Sequence, residues 1–309
     1  MNQEVVLELK QVKKEIKNHL IINDLSFKLY KGEVLGLLGP NGSGKTTTMR
    51  MIVGLMSVSE GNIVINGKSL LNNFKDSIRE IGAMIETPAF YPFYSGYQNL
   101  MYFARMLDGV TKNRVLEVIN LLGLSNAIHK KFSTYSLGMK QRLGIAQALL
   151  HKPSILILDE PTNGLDPAGV REIRDYLKKI SEEEGVAILL SSHLLSEIEL
   201  ICDRAVIIQN GQFIETININ STEETDTSIF IEFVVNDTKQ VVISFENSNV
   251  NYQYNIIDDK TIVFEVEEIH IPKLNRELVN AGIEVYYIAR KKERLEDLFI
   301  QLTGGNVIE

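Results

Sequence analysis

One eight-residue stretch limits the possible folds more than any other: Gly39-Pro40-Asn41-Gly42-Ser43-Gly44-Lys45-Thr46. It matches G-x-x-x-x-G-K-[ST], a spacing with a physical purpose. Glycines open backbone angles closed to other residues, so successive N–H groups turn inward toward phosphate oxygens. A helix beginning near Lys45 adds the positive end of its dipole. Lys45 is then placed for β- and γ-phosphates and the Thr46 hydroxyl for Mg²⁺. The flanks agree, with an apolar strand at residues 34–38 and a helical pattern over 45–54. A strand, this loop and a helix in succession point to an α/β fold.

The rest of residues 1–217 repeats that alternation, the pattern of an α/β fold. Strands are expected at 25–30, 81–85, 155–159, 186–191, 205–209 and 212–216, the last two joined by Asn210-Gly211, a strong hairpin turn. Between about 88 and 151 the pattern is helical, with helices at 99–107, 111–122 and 137–150, and reads as an inserted helical subdomain. Residues 218–228 are rich in Thr, Asn, Ser and Glu and read as a linker. Beyond them, 229–309 reads as a small α+β domain: strands at 229–235, 241–245, 261–266 and 283–289, helices at 271–281 and 294–302.

Composition excludes several classes. The chain has 309 residues and a formal net charge of −8. Residues 218–309 hold 17 acidic and 8 basic side chains, which leaves 1–217 near neutral. Neither part has the basic excess that nucleic-acid binding requires, so DNA and RNA are not expected partners. The longest apolar runs, such as Ile155–Leu158, fall far short of the about 20 residues that span a bilayer. Residues 1–10 lack the pattern of a signal peptide. One cysteine, Cys202, cannot form an internal disulfide, and five scattered histidines carry no metal-ligand spacing.

Chemistry concentrates after the second buried run, Ile155-Leu-Ile-Leu-Asp159-Glu160. Asp159 at a strand's carboxyl end suits Mg²⁺ coordination, and Glu160 suits polarising an attacking water. Four further segments, two of them earlier in the chain, stand in a telling order. Tyr135-Ser136-Leu137-Gly138-Met139 resembles the LSGGQ signature of ATP-binding-cassette (ABC) ATPases. Asn163-Gly-Leu-Asp166 resembles their D-loop, His193 their switch histidine, and residues 81–86 the strand leading into their Q-loop. On its own Ser136 would read as a helix cap and His193 as an ordinary packed histidine. In this order and spacing they identify residues 1–217 as similar to an ABC cassette, a P-loop NTPase fold.

That resemblance implies a mechanism. Cassettes of this family pair head to tail, as a homodimer or with a second cassette, and sandwich two ATP molecules. Each ATP is held by one chain's Gly39–Thr47 loop and capped by the partner chain's Ser136, Leu137, Gly138 and Met139. The resemblance assigns ATP contacts to Gly39, Pro40, Asn41, Gly42, Ser43, Gly44, Lys45, Thr46, Thr47, Glu86 and Asp159. It assigns Mg²⁺ to Thr46, Asp159 and Glu86, and catalysis to Glu160 and His193, with Asp166 in the D-loop. Closure on ATP would drive an integral-membrane permease, which places the chain in the cytoplasm against the inner face of the membrane.

Two features depart from the family pattern. Glu86 stands where a Q-loop glutamine is usual, which predicts retained function with altered nucleotide coupling. No aromatic residue lies in 10–22 to stack on adenine; Ile16 and His19 are the candidates. Glu86 with Pro88-Ala-Phe-Tyr-Pro92, and an acidic tail ending in Leu295–Thr303, look like bacitracin- and lantibiotic-type exporter ATPases. The alternative is a soluble, non-transport ABC ATPase. Translation-type members carry two cassettes and repair-type members a long coiled coil, whereas this sequence has one phosphate loop and no heptad run. A small-molecule kinase would leave residues 136–142 and His193 unexplained.

Overall fold

A computed structural model describes residues 4–86, 88–219, 229–247 and 252–290. They fall into two compact units, one over residues up to 219 and one over residues from 229. The first unit runs β1 (Val5–Ile16), β2 (His19–Tyr30), β3 (Val34–Leu38), α1 (Lys45–Ile52), β4 (Glu60–Ile65), β5 (Lys68–Ser69), α2 (Phe74–Arg79) and β6 (Ile81–Met84). It continues with α3 (Gly96–Ala104), α4 (Lys112–Leu121), α5 (Leu137–Leu149), β7 (Ile155–Leu158), α6 (Pro167–Glu184), β8 (Ala187–Ser192), α7 (Leu195–Ile201), β9 (Arg204–Gln209) and β10 (Gln212–Asn218).

The central sheet has the order β10-β9-β3-β8-β7-β6. Every residue of β3, β7 and β8 is buried, the reason these strands read as unbroken apolar runs: a parallel strand covered on both faces has no polar side to alternate with. β3 pairs in parallel with β8 and β9, and β7 with β8 and β6. The expected hairpin joins β9 to antiparallel β10, with Asn210 and Gly211 both at positive φ.

A second, antiparallel sheet, β2-β1-β4-β5, lies across a shared core in which Leu7, Leu9 and Ile22 meet Leu35, Leu37, Met49 and Ile157. Most of it was not expected from sequence. In β1 the pairing with β2 shifts register four times, and Gln11 takes φ 49° beside one of those shifts. Such bulges break the period-2 alternation by which strands are recognised.

Within the helical segment the first helix begins three residues before the expected 99. Ser95 accepts a hydrogen bond from the Gln98 backbone N–H, while Gln98 Oε1 accepts from the Ser95 N–H, a capping box that starts α3 at Gly96. Thr111 caps α4 and Ser136 caps α5.

The second unit comprises β11 (Ile229–Val235), α8 (Thr238–Asn247), β12 (Gln253–Ile256), β13 (Thr261–Val266), α9 (Ile271–Asn280) and β14 (Val285–Arg290). Its sheet order, β12-β13-β11-β14, is antiparallel throughout. This is the split β-α-β-β-α-β arrangement. One expectation is corrected here: residues 241–245 are helical, within α8. The run Val-Val-Ile-Ser-Phe has strand-like composition, yet Val241 and Phe245 are buried and Ile243 is 57% exposed. That is helical spacing of one face, and packing outweighs propensity. The expected helix at 294–302, with Leu295–Thr303, and most of the expected linker lie outside the described residues.

Candidate functional site

The phosphate loop leaves β3 at its carboxyl end and enters α1 directly. Two of its glycines are required by space and angle. A side chain on Gly39 would meet Ser43 Oγ at 2.6 Å and collide with the Ile208 carbonyl, and Gly44 has φ +104° with Ile22 packed against it. The Lys45 side chain is folded back into the loop it follows. Its Nζ donates to the carbonyls of Gly39 (2.7 Å) and Pro40 (3.2 Å), and the residue is 6% exposed. Burial holds its pKa below the ordinary 10.5, against an opposing pull from Glu160 and Asp159.

β7 and β3 are separated in the sheet only by β8, so the carboxylates ending β7 reach the loop across one strand. Thr46 Oγ1 donates to Asp159 Oδ1 at 3.3 Å, and the same oxygen accepts from Ser191 Oγ at 2.6 Å. Ser191 Oγ in turn accepts from the Glu160 backbone N–H at 2.9 Å. Glu160 adopts φ 49°, a left-handed conformation uncommon for a residue with a side chain and often found at functional sites. Its Oε2 lies 2.6 Å from His193 Nδ1. An ionised carboxylate only accepts, so that ring nitrogen carries the proton. Both side chains are about one-quarter exposed, at 23% and 24%.

Residues from three separated segments, all named from the sequence, come together in the fold: Lys45 and Thr46, Asp159 and Glu160, and His193. Glu86 is not in this cluster. It takes φ 67° and forms an ion pair with Arg50 of α1. Ser136 is exposed and accepts from the Met139 N–H at 3.3 Å, which makes it the cap of α5. Leu137, 40% exposed, lies beside Gly164, and Asp166 caps α6 by accepting from the Gly169 N–H at 2.9 Å. Ile16 and His19 pair across the β1–β2 turn, both exposed.

Three contributors were missed. Ser191 joins Asp159 to the Glu160 backbone, Arg50 holds Glu86, and Glu197 accepts from both Thr162 and Ser192. The signal for the first was present: two serines, 191 and 192, end an otherwise apolar strand immediately before His193.

The residues fit a nucleotide with a bound cation. Ser43 Oγ is buried and unpartnered beside Lys45, as expected of a hydroxyl meant for a phosphate oxygen. Among the described residues no cluster of three or more His, Cys, Asp or Glu side chains could cage a metal. Mg²⁺ needs none, because it binds through one or two protein oxygens together with phosphates, and Thr46 and Asp159 supply two.

Fold and loop together define a P-loop nucleotide-binding protein of the ABC cassette type. The ABC transporter family profile matches residues 22–163. YhcH of Bacillus subtilis (strain 168), an uncharacterized ABC transporter ATP-binding protein, is 49% identical over 302 residues, covering 97% of this chain and 96% of that protein. The bacitracin transport ATP-binding protein BcrA of Enterococcus faecalis is 38% identical over 308 residues, covering 100% and 99%. Among solved structures, an ATP-binding subunit of an ABC transporter superposes with a TM-score of 0.62 at 30% identity, over 70% of this chain and 90% of that one. The chain belongs to the ATP-binding proteins of ABC transporters.

Proposed function

We propose that this chain is the ATP-hydrolysing subunit of a membrane exporter, working with a separate permease at the cytoplasmic face of the membrane. The observation that carries the reading is the 2.6 Å contact between Glu160 and His193 beside the Lys45–Thr46–Asp159 cluster. In this reading residues 1–217 form the nucleotide-binding domain, 218–228 a linker and 229–309 an accessory domain. Gly39 through Thr47 hold the ATP phosphates. Lys45 exchanges its two loop carbonyls for phosphate oxygens, which offer a fully charged acceptor in place of a neutral one. Thr46 and Asp159 would hold Mg²⁺, which would supply positive charge against the phosphates. Glu160 orients water for attack, and His193 steadies that carboxylate and faces the γ-phosphate. Glu86, paired with Arg50, would couple the site to its surroundings without joining the chemistry. Export is supported by the named role of BcrA in bacitracin transport. No helix among the described residues is long and apolar enough to cross a membrane, which fits a separate permease.

The site is composite in this reading: Ser136 and Gly138 of one chain cap ATP on its partner. Ser136→Arg tests that. The variant leaves the chain's own phosphate loop intact, so ATP binding by the monomer should survive within a few-fold. Dimerisation and hydrolysis should both fail, because packed interfaces tolerate added volume poorly. Wild-type turnover per mole should also fall on dilution. Constant turnover on dilution, with Ser136→Arg active, would mean that one chain holds a complete site. Co-purification of a polytopic membrane protein tests the exporter assignment.

A further inference from the structure

Glu197 lies in the first turn of α7, and its residue is 8% exposed. Carboxylates are almost never buried unless paired, because the charge loses its hydration. Among the described residues Glu197 has no Lys, Arg or His within ion-pair distance. What it has is two hydroxyl donors on one oxygen: Thr162 Oγ1 at 2.6 Å and Ser192 Oγ at 2.8 Å. Thr162 is two residues beyond Glu160, and Ser192 immediately precedes His193. The buried carboxylate therefore bridges the two chain segments that carry the Glu160–His193 contact.

The neighbouring serine completes the arrangement. Successive residues of a strand point to opposite faces, and both Ser191 and Ser192 are fully buried. Ser191 ties the end of β8 to Asp159 and to the Glu160 backbone. Ser192, through Glu197, ties the same strand end to Thr162. Glu160 sits between these anchors in a left-handed conformation, and such a conformation persists only where its surroundings over-determine it. Two hydroxyl donors on one buried oxygen hold both segments to a single point.

We propose that Glu197 is a positioning residue for hydrolysis: its carboxylate locks the Thr162 and Ser192 segments together and so sets the geometry between Glu160 and His193. The proposal rests on the roles given to those two residues above. It predicts an effect on turnover and little on nucleotide affinity, since the phosphate loop hangs on β3 and α1, whereas the hydrogen bonds of Glu197 go to Thr162 and Ser192.

The test uses the full chain and four variants: Glu197→Met, Glu197→Gln, the double Thr162→Val/Ser192→Ala, and Glu160→Gln as control. ATP affinity, kcat at saturating Mg-ATP and melting temperature are measured for each. Glu197→Met removes both acceptors at similar length, and kcat should fall about 10- to 100-fold, the scale of a misplaced reacting group, with ATP affinity within about threefold. Glu197→Gln keeps one carbonyl oxygen able to accept both bonds and should recover kcat to within a few-fold. The double variant should match Glu197→Met in kcat, which keeps the test intact should that variant fail to fold. Wild-type kcat in Glu197→Met or in the double variant would overturn the proposal. So would a Gln variant as slow as Met, or kcat and ATP affinity falling together. If Glu160→Gln itself turns over normally, the parent reading fails, whatever Glu197 does.

Discussion

Lys45→Ala separates binding energy from folding energy. The buried Lys45 ammonium makes two hydrogen bonds to loop carbonyls, at 2.7 and 3.2 Å. Each such bond nets about 1 kcal/mol, and the desolvation that lowers the Lys45 pKa works against that sum. Truncation should therefore change stability by no more than about 1 kcal/mol. For a unit of this size that is a melting shift of about 2–4 °C. Bound ATP raises the stakes. Removing one partner of a buried charge pair costs about 2–5 kcal/mol, and tenfold per 1.4 kcal/mol makes that roughly 30- to 4,000-fold in Kd. Titration calorimetry with Mg-ATP reads the affinity, and scanning calorimetry reads the melt. Near wild-type affinity in a folded variant would refute the place given to Lys45.

Two further predictions are checked by simpler measurements. Burial lowers the folded-state pKa of Lys45, so as pH rises the folded chain releases this proton before the unfolded chain does. The unfolded state then binds more protons, and stability should climb with pH from the lowered folded value up to the ordinary 10.5, with the benefit lost as pH falls through the folded pKa. Lys45→Met should flatten that climb in parallel melts across the alkaline range. In the second unit Phe264 is fully buried and edge-on to Phe233 and Phe245 at 5.5 and 5.7 Å. Phe264→Ala should destabilise that unit by about 3–5 kcal/mol, read by circular dichroism in urea, with ATP affinity unchanged; an unshifted transition would contradict the packing described.

The sequence was most legible where local chemistry and burial coincide. Unbroken apolar runs marked β3 and β7 because both faces of a parallel strand are covered, and the phosphate loop advertised itself by its glycines. The antiparallel sheet was harder to see, since bulges near Gln11 interrupt the alternation of β1. α8 was misread because Val241 and Ile243 suit a strand in isolation, and only the core of the second unit selects helical spacing. In the site, Lys45, Asp159, Glu160 and His193 could be named from motifs. Ser191 left one trace, as half of a serine pair ending an apolar strand, whereas Glu197 left none, because its role exists only once the end of β8 lies beside the end of β7. The partner of Glu86 was equally hidden: Arg50 is 36 residues away in sequence and becomes a neighbour only through the fold.

In the proposed mechanism Glu160 drives hydrolysis at a site closed by two chains, and Glu160→Gln tests that role. The substitution keeps the size of the side chain and removes the charge that polarises water. ATP binding should stay close to wild type, turnover should slow by at least about 10²-fold, and an ATP-bound dimer should accumulate in size-exclusion chromatography with light scattering. A Glu160→Gln chain that hydrolyses ATP at the wild-type rate and stays monomeric in saturating ATP would contradict it.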